Sequence, residues 1–232
     1  MFSFIQKKMS LECFPNEKTL GLYVDKCNFL CPFCAKQNPK NTLNAKNTKL
    51  YSKEYIMGII KDYKYNHVLL SGGEPTLYPE MSEFIAELKS NGIKVALQTN
   101  GTNPNFLANN LVDFVYMDIK TDLANYHKLN KSISKETLSK IEKSIYIIKI
   151  KYKNSHAFVT TITTDMVNKD NLDDVIKLVR DCNIHYLQSY DNFSHKTLTP
   201  KSIESREKFM QEVYKIEVEQ GINCQIRSRC IT

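Results

Sequence analysis

Apolar runs of strand length alternate with longer stretches of helical period along this chain of 232 residues, which restricts it to a small set of folds. The rhythm begins with "TLGLYV" (19–24), a helix over 52–64 and "HVLLS" (67–71). It continues with a helix over 80–91 ended by Asn91-Gly92, "KVALQT" (94–99), a short helix near 104–110 and "FVYMDI" (114–119). A longer amphipathic helix over 135–149 starts at Ser134, which can cap the end, with Glu136 favourably placed in the first turn. "AFVTTIT" (157–163), a helix over 171–182, "HYLQSY" (185–190), a helix over 202–219 and a terminal "NCQIR" complete it. Six βα units imply a parallel sheet with right-handed crossovers. A full eight-unit barrel typically needs about 250 residues. The expected fold is therefore α/β, a partial (β/α)6 TIM-like barrel open on one side. No linker, repeat or low-complexity block divides the chain, so residues 1–232 read as one domain.

The chain carries a formal net charge of +7, but the lysines are dispersed among many Asn and Ile residues. That pattern reads as compositional bias and a solvated surface rather than a nucleic-acid patch. The densest polar stretch, "KQNPKNTLNAKNTK", spans 36–49. The N-terminal "MFSFIQKKMSLECF" has no apolar run long enough for a signal peptide or a membrane span, and none appears later. A cytoplasmic protein without a membrane partner is expected. Seven cysteines in such a chain read as reduced thiols or metal ligands, not as a disulfide framework.

Three of those cysteines, Cys27, Cys31 and Cys34, cluster in "DKCNFLCPFCAKQ" (25–37), just past the first strand. Three other unusual clusters also fall at strand ends: "SGGEP" (71–75), "TNG" (99–101), and Asp118 with Lys120. In parallel α/β folds the carboxyl ends of the strands share one face, so the four clusters converge there. Thiolates at C-x3-C-x2-C spacing suit an iron-sulfur cluster, which normally takes four ligands, so that three leave one iron open. Two alternatives stand beside this. One is a zinc site, for which Cys13 or His67 would have to complete the ligand set without a paired spacing; the other is an uncommitted thiol loop. Pro32 stiffens the loop, and Phe33 sets an aromatic ring between ligands. The glycines of "SGGEP" either make a tight turn or let the backbone approach a ligand, and Glu74 can accept hydrogen bonds from an ammonium group. Thr99 and Asn100 supply donors and acceptors, while Asp118 and Lys120 either pair with each other or aim at one polar ligand.

"CNFLCPFC", "SGGEPTLYPE", "QTNG" and "YMDIK", in this order, resemble the radical S-adenosylmethionine (SAM) superfamily. Within it the chain is most similar to the activating-enzyme branch: anaerobic ribonucleoside-triphosphate reductase activating proteins and, more distantly, pyruvate formate-lyase activating enzymes. The likeness runs from about residue 12 to the end and includes "YLQSY". By this resemblance Cys27, Cys31 and Cys34 hold a [4Fe-4S] cluster whose open iron takes the amino and carboxylate groups of SAM. The resemblance places Phe33 near the adenine and Gly72, Gly73 and Glu74 at the amino group. Thr99, Asn100, Asp118 and Lys120 line the methionine and ribose. It implies no catalytic side chain beyond the cluster and SAM. The implied reaction is one-electron cleavage of SAM to methionine and a 5'-deoxyadenosyl radical. In an activase that radical takes a hydrogen from the Cα of a glycine in a partner glycyl-radical enzyme, here anaerobic ribonucleotide reductase.

Two departures from the pattern carry consequences. Pyruvate formate-lyase activators usually have an acid before Thr-Asn-Gly that contributes to a monovalent-cation site; here it is Gln98, a weaker ligand. A ferredoxin-like insertion with further cysteine runs is absent, which implies one cluster and an external flavodoxin- or ferredoxin-type electron donor. Cys224 and Cys230 read as packed or free thiols rather than ligands of an auxiliary cluster. Two other functions compete with the activase: a radical SAM enzyme acting on a small molecule, peptide or nucleobase, such as a 7-carboxy-7-deazaguanine synthase-like enzyme, and a non-enzymatic zinc module. A closed, polar substrate cavity or an extra metal-binding residue favours the first of these.

Overall fold

A computed structural model describes residues 1–34, 50–130, 133–163, 165–189 and 200–227; the polar stretch 36–49 and Cys230 lie outside the described residues. Eight strands form one sheet in the order of the chain: β1 (Phe2–Leu11), β2 (Phe14–Val24), β3 (His67–Gly72), β4 (Lys94–Thr99), β5 (Phe114–Asp118), β6 (His156–Thr161), β7 (His185–Gln188) and β8 (Cys224–Arg227). From β2 to β8 every neighbouring pair is parallel. The crossovers carry α1 (Lys53–Asp62), α2 (Met81–Ser90), α3 (Pro104–Asn109), α4 (Lys135–Lys151), α5 (Leu172–Val179) and α6 (Pro200–Glu219). This is the expected partial barrel, an α/β half-barrel whose edge strands β1 and β8 do not pair.

Capping chemistry explains where several helices start. Ser52, Asn103 and Ser134 each accept a hydrogen bond from a backbone N–H of the first turn, at Tyr55, Phe106 and Thr137. Pro104 then stands where its missing N–H costs nothing. The expected boundaries differ from the observed ones mainly at frayed ends; the fifth helix ends at Val179, three residues early.

The sheet's two faces divide the core because side chains alternate along a strand. Leu20, Leu22, Val68, Leu70, Val95, Leu97, Val115 and Phe158 pack against helical residues such as Ile56, Phe84, Leu88, Ile148 and Val213. The opposite, inner face presents Tyr23, Leu69, Ala96, Tyr116, Val159 and Tyr186, and it is covered by Met9, Leu11 and Phe14 of the first hairpin. That hairpin, with β1 antiparallel to β2, is an addition to the six βα units. Its ladder is broken by irregular register, and Lys8 and Asn16 take left-handed φ values of 62° and 65°. The bends carry the tip into the barrel. There the Cys13 N–H donates to the Tyr116 hydroxyl at 3.2 Å, and Arg227 of the last strand reaches Glu12 at 3.3 Å. The Arg227 guanidinium also lies over the Tyr186 and Tyr116 rings at 4.7 and 5.3 Å, so first and last strands meet across the inner face. No helix among the described residues is long and apolar enough to cross a membrane.

Candidate active site

At the carboxyl ends of the strands the sheet opens into a cavity of about 1150 Å³, counting the space continuous with solvent. Cys27, Cys31, Cys34, Phe33, Gly72, Gly73, Thr99, Asn100, Asp118 and Lys120 all line it. The structure thus gathers on one surface four clusters that are 27 to 120 residues from the chain start and far apart in sequence.

The cysteine loop is held from below. Gly73 N–H donates to Val24 O at 2.7 Å and Glu74 N–H to Lys26 O at 2.8 Å, which ties the end of β3 to the start of the loop. Only glycine permits this approach: a Cβ on Gly73 would stand 2.1 Å from Lys26 O, and one on Gly72 2.4 Å from Val24 O. Gly72 also has φ +105°. The Tyr78 hydroxyl accepts from Lys26 N–H and donates to Asp25. Asn28, between the first two cysteines, is fixed by Asn100 Nδ2 and by Thr102 Oγ1 at 2.8 and 2.9 Å.

Glu74 lies one layer beneath the cavity. Its fully buried carboxylate accepts four hydrogen bonds: from Thr76 N–H, the Thr76 and Thr99 hydroxyls, and Asn100 N–H at 2.6 Å. Burial raises its pKa while these donors oppose the shift. The carboxylate therefore joins the end of β3 to the end of β4 and sets the positions of Thr99 and Asn100.

Lys120 and Asp118 form an ion pair at 2.9 Å, both largely shielded, with the ammonium 5.8 Å from the centre of the Phe33 ring. Burial alone would pull the Lys120 pKa down. The Asp118 carboxylate and then the Cys31 sulfur outweigh burial and hold it above its ordinary value, so the lysine stays charged. Burial pushes the Cys31 thiol up to about 12 and raises Cys27 as well, with Lys120 opposing both shifts. Thiols in such a place ionise only beside a strong positive charge.

The donor set fits an iron-sulfur cluster better than a single zinc. Zinc–thiolate bonds are about 2.3 Å long, so ligands of one ion crowd together. Among the described residues the trio whose ligand atoms lie within 4.8 Å of one another is His185, Glu217 and Cys224, not the loop cysteines. Cys13 and His67 also lie away from the loop: Cys13 contacts Tyr116, and the His67 ring packs on Phe14.

The deeper wall of the cavity was signalled in the motifs through Gln98 of "QTNG". Ser71 Oγ donates to Gln98 Oε1 at 2.8 Å, Gln188 Nε2 donates to Thr161 Oγ1 at 2.7 Å, and Arg227 reaches Gln188 Oε1 at 3.3 Å. Gln98, which replaces the acid of some activators, is thus an amide of this wall. "YLQ" in β7 held a second hint, through Gln188.

Residues 22–182 match the family model of the Radical SAM superfamily. The chain belongs to the radical SAM superfamily. It is 29% identical over 208 residues, 84% of each chain, to a Methanocaldococcus jannaschii protein provisionally named a glycyl-radical enzyme activating enzyme. It is 26% identical over 195 residues to a Helicobacter pylori GTP 3',8-cyclase, covering 78% of this chain and 58% of that one. Among solved structures, anSMEcpe with bound AdoMet superposes with a TM-score of 0.61 at 22% identity, over 88% of this chain and 61% of that one, a likeness of fold. Membership implies a [4Fe-4S] cluster and SAM, which matches the donor set of the cysteine loop.

Proposed function

We propose that this radical SAM enzyme generates a glycyl radical on a partner, anaerobic ribonucleoside-triphosphate reductase. The observation that carries the reading is the reach of the match to the activating-enzyme relative, which spans 84% of both chains, whereas the cyclase match leaves much of the cyclase uncovered. Cys27, Cys31 and Cys34 hold the cluster, and SAM lies across Gly72, Gly73, Thr99, Asn100, Asp118 and Lys120. Bound together, the reduced cluster and SAM supply a 5'-deoxyadenosyl radical that removes a hydrogen from a substrate carbon.

The chain's own share is positioning and exclusion of water. Gly72 and Gly73 bring backbone groups to the methionyl amino end, and Glu74 acts there through the Thr99 and Asn100 it fixes. Lys120, kept charged by Asp118, meets the SAM carboxylate, and Phe33 packs at the adenine. Phe29 and Phe33, both buried, line the loop side of the cavity with apolar rings. The open side of the half-barrel admits a glycine-bearing loop, and a flavodoxin- or ferredoxin-type protein donates the electron.

The test is to mix reconstituted protein, SAM, reductant and the anaerobic reductase of the same organism, then record the electron paramagnetic resonance spectrum. A glycyl-radical doublet that needs both proteins supports the assignment; SAM turnover without it rejects this partner. A small-molecule substrate is the second reading, favoured by the polar wall of Gln98, Gln188, Thr161 and Arg227. Under that reading, deoxyadenosine release would be stimulated by a nucleotide and not by the reductase.

A further inference from the structure

At the end of the barrel opposite the cavity, three ligand-type side chains meet in the core. His185 and Cys224 are the first residues of β7 and β8, and Glu217 comes from the last turns of α6. His185 and Glu217 are completely buried and Cys224 is 6% exposed. Their ligand atoms all lie within 4.8 Å of one another. We propose that His185, Glu217 and Cys224 bind a divalent zinc-type cation, a second metal site separate from the cysteine loop.

Charge decides between this and a plain polar trio. A buried carboxylate needs a cation or a full set of donors. Glu217 Oε2 faces His185 Nδ1 at 2.7 Å and the Cys224 thiol lies against the same carboxylate, while its buried Oε1 has no hydrogen-bond partner. A divalent cation with one carboxylate, one thiolate and one neutral imidazole makes a site of zero net charge. The set of nitrogen, oxygen and sulfur donors suits zinc.

His185 Nε2 lies 2.9 Å from Thr160 Oγ1, a partner that fixes the ring, and a cation would take the place of the proton now shared between Nδ1 and Glu217. Cys182 precedes His185 at C-x2-H spacing, outside the trio whose ligand atoms converge. Such a site would join β7, β8 and α6, the last elements of the half-barrel.

The experiment uses the full chain with Cys27→Ala, Cys31→Ala and Cys34→Ala, so that no metal can occupy the loop. This protein is titrated anaerobically with Co2+ and then with Zn2+. The expected result is one Co2+ per chain with a sulfur-to-cobalt charge-transfer band, displaced by Zn2+. Adding Cys224→Ser should remove the band, and His185→Gln should weaken Co2+ binding by about tenfold or more. Circular dichroism verifies that each variant is folded. Absence of cobalt binding by the loop variant with Cys224 intact would overturn the proposal whatever the other variants do. So would a charge-transfer band unchanged by Cys224→Ser in a folded protein.

Discussion

Of the loop thiols Cys31 is buried, Cys34 half-buried and Cys27 exposed, and the charge of the lysine beside them is already committed to Asp118. Replacing Cys31 with Ala removes one ligand and little volume, so the protein should fold, lose its iron and release no 5'-deoxyadenosine; iron analysis and product chromatography check this. His156 shows a different balance. Its Nδ1 lies 2.8 Å from Tyr152 O and its Nε2 accepts from Asn183 N–H, contacts that suit a neutral ring. Burial, with Lys149 adding to it, lowers its pKa below the ordinary 6.5 despite the Tyr152 carbonyl. The unfolded chain therefore takes up the proton first as pH falls, and this contribution to stability is present above pH 6.5 and lost below it. Urea midpoints should decline through that range, and His156→Gln should make the decline shallower.

At the scale of elements, the loops after β2, β3 and β4 work as one unit, because backbone contacts through Gly73 and the Glu74 carboxylate lock them together. Gly72→Ala forces both a left-handed backbone and a clash with Val24 O, and should cost about 2–4 kcal/mol and lower iron loading, measured by chemical denaturation and iron content. The first hairpin acts on the other side of the cavity. Arg227→Ala removes the link to Glu12 and the stacking on Tyr116 and Tyr186, and should cost about 2 kcal/mol in a thermal or urea melt. The strand-end motifs were legible because their residue types are rare outside sites and because strand order alone puts carboxyl ends on one face. The hairpin was not. "FSFIQKKMSL" mixes lysines into its run and its bends rest on positive φ at Lys8 and Asn16, residues that do not announce them.

Across the whole molecule, the repeated βα pattern specified the half-barrel, since a parallel strand can rejoin its sheet only through a crossover. The inner wall was hidden for a physical reason. Tyr116, Gln188 and Arg227 come from three strands, and only the curl of the sheet brings them together beneath the cavity. The same curl separates two ends with different chemistry, the cysteine loop at the carboxyl ends and His185 with Glu217 at the amino ends. The most direct test of the central claim, that the strand-end cavity is a radical SAM site, is an anaerobic one. The protein is reconstituted with iron and sulfide and reduced with dithionite, and its electron paramagnetic resonance spectrum and 5'-deoxyadenosine yield are followed as SAM is added. A reduced-cluster signal that SAM alters, together with 5'-deoxyadenosine release that Cys31→Ala abolishes, is the expected result. A fully loaded cluster whose signal ignores SAM, with no 5'-deoxyadenosine formed, would contradict it.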